Sequence, residues 1–140
     1  MKYTSLIFLL IILIFSCDQD DSENLIEELL LETNQVNYEI GEEIQLTLSN
    51  MLSDTLLLNP CCNSPDYHIQ KFENEEWVTT TFCEYYCEDF PISMYPGETR
   101  TDTVIAFESG YQRVRIQYQL IGPSDILEIV SNPFWVDESE

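Results

Sequence analysis

The chain has 140 residues, of which 26 are Asp or Glu, 5 are Lys or Arg and one is His, giving a formal net charge of −21. Phosphate recognition needs clustered basic side chains, so this balance excludes a nucleic-acid binder and a protein held to anionic lipid by its own charge. At this length, with 44% hydrophobic residues, a single domain with a real core is expected.

The first element is "MKYTSLIFLLIILIFSC". Lys2 is a short positive start, and Leu6 to Phe15 is an unbroken apolar run of ten residues. A bilayer-spanning helix takes about 20 apolar residues, so the run fits the hydrophobic segment of a cleaved export signal. "IFSC", with small Ser16 directly before Cys17, resembles the lipobox of bacterial lipoproteins. The resemblance implies cleavage after Ser16, lipidation of Cys17 and a membrane partner held through that lipid. Cysteine arithmetic agrees. Of five cysteines, Cys17, Cys61, Cys62, Cys83 and Cys87, one is left over in an exported protein unless it carries something else.

"DQDDSEN" follows, with Asp18, Asp20, Asp21 and Glu23 and no apolar residue. Such a stretch has nothing to bury and reads as a solvated tether. It also resembles the acidic export signal behind the lipid cysteine of Bacteroidota surface lipoproteins, which implies display on the outer face of the outer membrane. The alternative is a plain charged spacer on a periplasm-facing lipoprotein. The expected organisation is therefore signal peptide 1–16, lipidated cysteine and tether 17–25, and a folded domain 26–140.

Within the domain, "NLIEELLLE" fits either a helix capped by Asn24 or a strand with Leu29 and Leu31 inward; the strand is preferred because a sheet protein needs a first edge. "EEIQLTLSN" alternates strictly, Ile44, Leu46 and Leu48 on one face, which marks a half-buried strand. "DTLLLNP" comes after a tight Asn50 to Asp54 connection. "DYHIQKFE" and "EWVTTTF" flank the polar turn "ENE" and read as a hairpin. Trp77 within it reads as a core or sheet-face aromatic. "TRTDTVIAF" follows the turn "YPGE". "YQRVRIQYQL" puts Val114, Ile116, Tyr118 and Leu120 in and Arg113, Arg115, Gln117 and Gln119 out. "LEIVSNPFWV" is the last strand, interrupted by Pro133. Short strands at this spacing predict an all-β fold, an antiparallel β-sandwich of about seven to eight strands.

The motifs "NYEIGEEIQLTLSN", "YPGETRTDTV", "GYQRVRIQY" and "SNPFWV" together resemble a bacterial immunoglobulin-like sandwich family. Its pattern is a Tyr-x-x-Gly-Glu opening, a Leu-Thr-Leu-x-Asn strand, a Pro-Gly-Glu turn and a Gly-x-Tyr-Arg strand, matched here over most of residues 29–136. The resemblance implies the fold and leaves the function open. A related sandwich group includes intracellular proteinase inhibitors of bacilli, so an extracellular protease inhibitor is an alternative by family-level analogy alone.

Four cysteines remain for chemistry. Adjacent Cys61 and Cys62 chelate a metal poorly, whereas Cys83-x-x-x-Cys87 has a zinc-like spacing. An oxidising compartment favours disulfides among Cys61, Cys62, Cys83 and Cys87. Two cross-linking schemes avoid a vicinal ring: Cys61–Cys83 with Cys62–Cys87, or Cys61–Cys87 with Cys62–Cys83. An antiparallel approach of the two segments favours the second, nested scheme. His68, the single histidine, lacks a free thiol to activate. Carboxylate pairs such as Glu84 and Glu88 arise by chance among 26 acids. No catalytic residue, metal ligand or cofactor is expected.

The sequence thus predicts a non-enzymatic, membrane-anchored binding or scaffolding module for an unknown protein or glycan partner. Its expected contact surface is "FCEYYCEDF", with Tyr85, Tyr86 and Phe90 as anchors. The runner-up is a metal-binding or redox module built on Cys61, Cys62, Cys83 and Cys87, with His68 beside them.

Overall fold

The computed structural model describes residues 28–62, 64–81, 83, 90–122 and 125–138. The expected signal peptide, Cys17, the acidic tether, Glu84, Tyr85, Tyr86, Cys87 and Glu88 lie outside the described residues. Regular structure among the described residues is entirely strand. In chain order the strands are β1 (Leu29–Thr33), β2 (Asn37–Glu39), β3 (Glu43–Asn50), β4 (Leu56–Leu58), β5 (Pro60–Cys61), β6 (Ser64–Pro65) and β7 (His68–Glu73). There follow β8 (Glu76–Thr79), β9 (Ile92–Met94), β10 (Thr99–Ile105), β11 (Gly110–Leu120), β12 (Leu127–Val130) and β13 (Phe134–Asp137).

The smaller sheet runs β1-β3-β10, antiparallel throughout. The larger is built around β11, the longest strand. Along one edge β11 pairs with β7 and then β4; along the other it pairs with β13 and then β12. The outer strands β8, β9 and β2 complete this sheet, with β2 parallel to β13 and every other pair antiparallel. A two-residue ribbon, β5–β6, stands apart.

Alternation explains why the two sheets close on each other. Leu29 and Leu31 of β1, and Ile44, Leu46 and Leu48 of β3, point from the smaller sheet into the same core as Leu56, Leu58, Val114, Ile116, Phe134 and Val136 of the larger. Burying each such side chain is worth about 1.5–3 kcal/mol. Residues one step out of phase point away, which is how Arg113 and Arg115 reach the outer face. The chain is a two-layer β-sandwich. The segment that fitted either a helix or a strand is strand β1 from Leu29 onward, with Leu29 and Leu31 inward.

The motif residues are spent on holding this fold. Tyr38 packs edge-on against Phe134, ring centroids 5.3 Å apart, and its hydroxyl donates to Asn34 Oδ1 while accepting from the Gln35 N–H. Gly41 turns with φ 91°, and its N–H reaches the Ala106 carbonyl at 2.7 Å. Asn50, fully buried, donates through Nδ2 to the Asp54 and Met94 carbonyls and accepts from the Leu52 N–H. Its backbone meets Glu98 and Gly97, so this one residue ties the Asn50–Asp54 connection to the Pro96–Gly97 turn. The Asn132 side chain accepts from the Thr33 N–H through Oδ1 and donates to the Thr33 hydroxyl through Nδ2.

More strands form than the sequence pattern suggested, because the register breaks the longer apolar runs into pieces. "LEIVSNPFWV" divides at Ser131–Pro133 into β12 and β13, which take successive stretches of β11. The β7–β8 hairpin turns at Asn74 and Glu75, with φ of 51° and 69°. Two left-handed central residues are the two-residue hairpin geometry that matches strand twist.

These contacts give the sandwich two distinct ends. At one, the Met51 N–H bonds the Glu28 carbonyl where the chain enters β1, beside the Pro96–Gly97 turn. At the other, Gly41 meets Ala106, and the β10–β11 connection leads to Gly110 and Tyr111.

Candidate functional site

The cysteine region comes first, because the sequence singled it out. Cys61 is bonded to Cys83, with their Cα atoms 5.8 Å apart. This corrects the nested expectation of Cys61 with Cys87. That expectation assumed two extended antiparallel segments. Instead Cys62 stands at the tip of the β5–β6 ribbon in a left-handed conformation, φ 51°, out of line with Cys61 on the strand. Cys62 is also disulfide-bonded.

Beside the bridge lies a pocket of about 150 Å³ lined by Ser64, Asp66, Tyr67, Thr103 and Val104 among others. The Cys61 and Cys83 sulfurs and an Asp66 carboxylate oxygen lie within 4.8 Å of one another. In the oxidised state both sulfurs are spent on each other, so neither is a thiolate ligand or nucleophile. His68 Nε2 is 2.9 Å from Asp66 Oδ2. Tyr67 donates to Asp102, which also accepts two bonds from Arg100. Burial first, and then Asp102, push the Tyr67 phenol up. The Asp102 hydrogen bond is the chief cause that raises the Arg100 guanidinium. A phenol that stays protonated and a carboxylate already holding two partners make a latch between the sheets. They offer neither a base nor a nucleophile.

A different surface has the features of a contact site. Phe72 on β7, Trp77 on β8, Tyr111 on β11 and Trp135 on β13 come together on the outer face of the larger sheet. Phe72 and Trp77 are register partners, as are Tyr111 and Trp135. Ring centroids are 5.2 Å apart for Phe72–Trp77, 5.7 Å for Trp77–Tyr111 and 6.3 Å for Tyr111–Trp135. Phe72, Tyr111 and Trp135 remain 42%, 40% and 46% exposed. The Arg113 guanidinium lies over the Trp77 ring, 4.2 Å from its centroid, while its Nε donates to Gln70 Oε1. Burial, with Arg115 as the second cause, draws the Arg113 guanidinium below its usual range.

Of the expected contact residues, Phe90 is 90% exposed, and Tyr85 and Tyr86 lie outside the described residues. The sequence reads Trp77 as a core or sheet-face aromatic and does not assemble this cluster. Its four rings are scattered from residue 72 to residue 135, and only the strand register joins them. One signal was available. Tyr111 opens the outward set of "YQRVRIQYQL", and an aromatic in phase with two arginines marks the solvent face as more than charged.

No family model matches the chain, and no curated protein matches it. Among solved structures it is similar to the sporulation control protein Spo0M of Bacillus subtilis, at 12% identity and a TM-score of 0.44, over 81% of this chain and 49% of that one. It is also similar to the Pseudomonas fluorescens alkylpurine DNA glycosylase AlkC bound to DNA containing an abasic site analog, at 13% identity and a TM-score of 0.38, over 75% of this chain and 30% of that one. A third likeness is to the ASH/PapD-like domain of human CEP192, at 14% identity and a TM-score of 0.35, over 79% and 87%. The chain spans about half the length of the Spo0M structure. At these scores the likenesses carry no functional argument.

Proposed function

We propose that the protein is a lipid-anchored extracytoplasmic lipoprotein whose sandwich acts as a non-enzymatic binding module, displayed at the outer membrane surface. The observation that carries the binding role is the exposed cluster of Phe72, Trp77, Tyr111 and Trp135 on an open sheet face. Leaving three large rings 40% or more exposed forgoes their burial, and tryptophan and tyrosine are the residues that most often anchor interfaces.

The anchoring role rests on the lipobox resemblance at Cys17 and on the acidic stretch behind it. The polarity of the fold supports the combination. The tether would join the sandwich at the Glu28 end, whereas the aromatic cluster lies toward the Gly110 end, with the length of the strands between them.

Cross-linking on intact cells tests the reading. The unaltered lipoprotein should capture a partner that a Tyr111→Ala, Trp135→Ala double variant loses, with the variant's anchoring unchanged. Equal capture by both would move the binding surface elsewhere.

A further inference from the structure

The binding reading leaves open what the aromatic face receives, and Arg113 narrows it. Basic residues are scarce, 5 against 26 acids. Among the described residues, Lys71, Arg100 and Arg115 each meet a carboxylate: Glu73 at 3.0 Å, Asp102 at 2.6 Å and Glu128 at 3.1 Å. Arg113 is the exception. Its Nε donates to the neutral Gln70 Oε1 at 2.8 Å, and its guanidinium lies over Trp77. Among the described residues no acceptor meets its two Nη groups.

That placement has a cost. Arg113 is half-buried, and a cation drawn out of water without a counter-charge is destabilised. Arg115, in the same outward phase of β11, adds like-charge repulsion. Both act on the lowered Arg113 guanidinium, burial first. The Trp77 ring and the Gln70 amide position the group without neutralising it. Gln70 is itself fixed, 5% exposed, with its Nε2 toward Thr79 Oγ1 at 3.4 Å. The acids nearby in sequence are used elsewhere. Asp137 accepts from the Trp135 indole at 2.8 Å, and Glu73 and Glu76 occupy the opposite phase of the hairpin from Phe72 and Trp77.

We infer that Arg113 is the charged centre of the binding face, receiving one Asp or Glu carboxylate of a partner protein segment whose flanking apolar side chains rest on Phe72, Tyr111 and Trp135. The inference rests on the binding-module reading and gives the partner its chemistry. The Nη pair offers the planar fork that a carboxylate accepts. Tryptophan, tyrosine and arginine are also the side chains that carry most interface energy. A formal charge of −21 opposes a polyanion such as a uronate polymer, and a second copy of this chain, which favours a solitary carboxylate among uncharged neighbours.

The two tryptophans of the chain, Trp77 and Trp135, both lie in this face, so intrinsic fluorescence reports on it. The full-length lipoprotein in neutral detergent is titrated with the blocked peptide Ser-Leu-Ser-Glu-Ser-Leu-Ser, in which alternation puts the leucines and the glutamate on one side of an extended chain. Versions with Gln or Lys in place of Glu, and a glucuronate oligosaccharide, are titrated beside it. Salt is held at about 0.15 M, where repulsion beyond about 8 Å is screened. The Glu peptide should perturb the emission, saturate, and bind about tenfold tighter than the Gln peptide. Arg113→Gln should bring the two within twofold, and Arg113→Lys should keep part of the preference. Trp135→Ala should weaken both peptides alike and leave their ratio unchanged. Lys71→Gln, the same charge change in the opposite phase of β7, should leave binding within twofold.

Equal binding of the Glu and Gln peptides, a preference that survives Arg113→Gln, or no response to any peptide would overturn the inference. The urea midpoint of Arg113→Gln should hold or rise, since the charge has no acid in the fold. A large fall with the preference intact would make the guanidinium a purely structural group and overturn the inference. Tighter binding of the oligosaccharide than of the Glu peptide would overturn the choice of a protein segment. Cross-linking on cells with the double ring variant separates the two readings: if the inference fails, lost capture leaves the binding module standing, and unchanged capture rejects both.

Discussion

The Tyr67 hydroxyl donates to Asp102 Oδ2 over 2.6 Å, and the same oxygen accepts from Arg100 Nε at 2.6 Å. Tyr67 leads into β7 of the larger sheet and Asp102 lies on β10 of the smaller, so the bond clasps the two layers. Because the folded phenol is shifted up, its stabilising effect is complete below about pH 10. Above that, the unfolded phenol ionises while the folded one stays protonated, and stability falls with rising pH. In an alkaline titration the Tyr67 phenol should stay protonated well above the usual tyrosine range. Tyr67→Phe should cost about 1 kcal/mol at neutral pH, since Asp102 keeps Arg100, and should flatten the alkaline fall. Denaturant melts of both proteins from pH 7 to 11 check this.

Asn50 concentrates more hydrogen bonds in one buried side chain than any other motif residue. Asn50→Ala leaves the Asp54 and Met94 carbonyls and the Leu52 N–H without that partner. A loss of about 2–3 kcal/mol is expected, read as a lower urea midpoint with little change in slope. Asn50→Asp should be no rescue, because a carboxylate cannot donate to the two carbonyls.

Peptide mapping of the unreduced protein should recover Cys61 linked to Cys83. With Cys17 lipidated, Cys62 should be found with Cys87. A Cys61–Cys87 peptide would contradict the geometry. Replacing Cys61 and Cys83 together by Ala should cost less than the about 3 kcal/mol that a lone bridge with a sequence separation of 22 contributes in the chain-entropy view, because the Cys62 bridge still closes nearly the same loop.

Cys17→Ala should abolish labelling by palmitate while leaving the melting curve of the domain unchanged, since β1 begins beyond it. On intact cells, external protease should digest the unaltered protein. Replacing Asp18, Asp20, Asp21 and Glu23 by Ala should protect it. Protection of the unaltered protein until the outer membrane is opened would point to a periplasm-facing lipoprotein.

What could be read ahead of the structure follows from period two. From Ile44 to Leu48 in β3 and from Arg113 to Gln117 in β11, inward apolar residues alternate with outward polar ones, so Ile44, Leu46, Leu48, Val114 and Ile116 declared their face without help from partners. Gln112 did not: it sits in the same inward phase, 2% exposed, and its amide is satisfied by the Glu108 carbonyl, a partner that only the fold supplies. The strand β2 and the ribbon β5–β6 are too short to show any period. The cysteine pairing hung on the left-handed turn at Cys62, which needs no glycine and leaves no mark in composition. The aromatic face was hidden for a further reason. Its residues are neighbours across four strands, and register is a property of pairs of segments.

The two ends of the sandwich bear on how it would carry load. A domain anchored through residues before Glu28 and gripped at the rings near Tyr111 is pulled from opposite ends. The pull on β1 then runs along the strand. The five β1–β3 register pairs, from Leu29↔Asn50 to Thr33↔Leu46, are stressed together in shear, and none can peel away ahead of the rest. A small domain of ordinary thermodynamic stability can in this way resist sudden tension far better than its unfolding free energy alone implies, which suits a tethered protein meeting a moving partner.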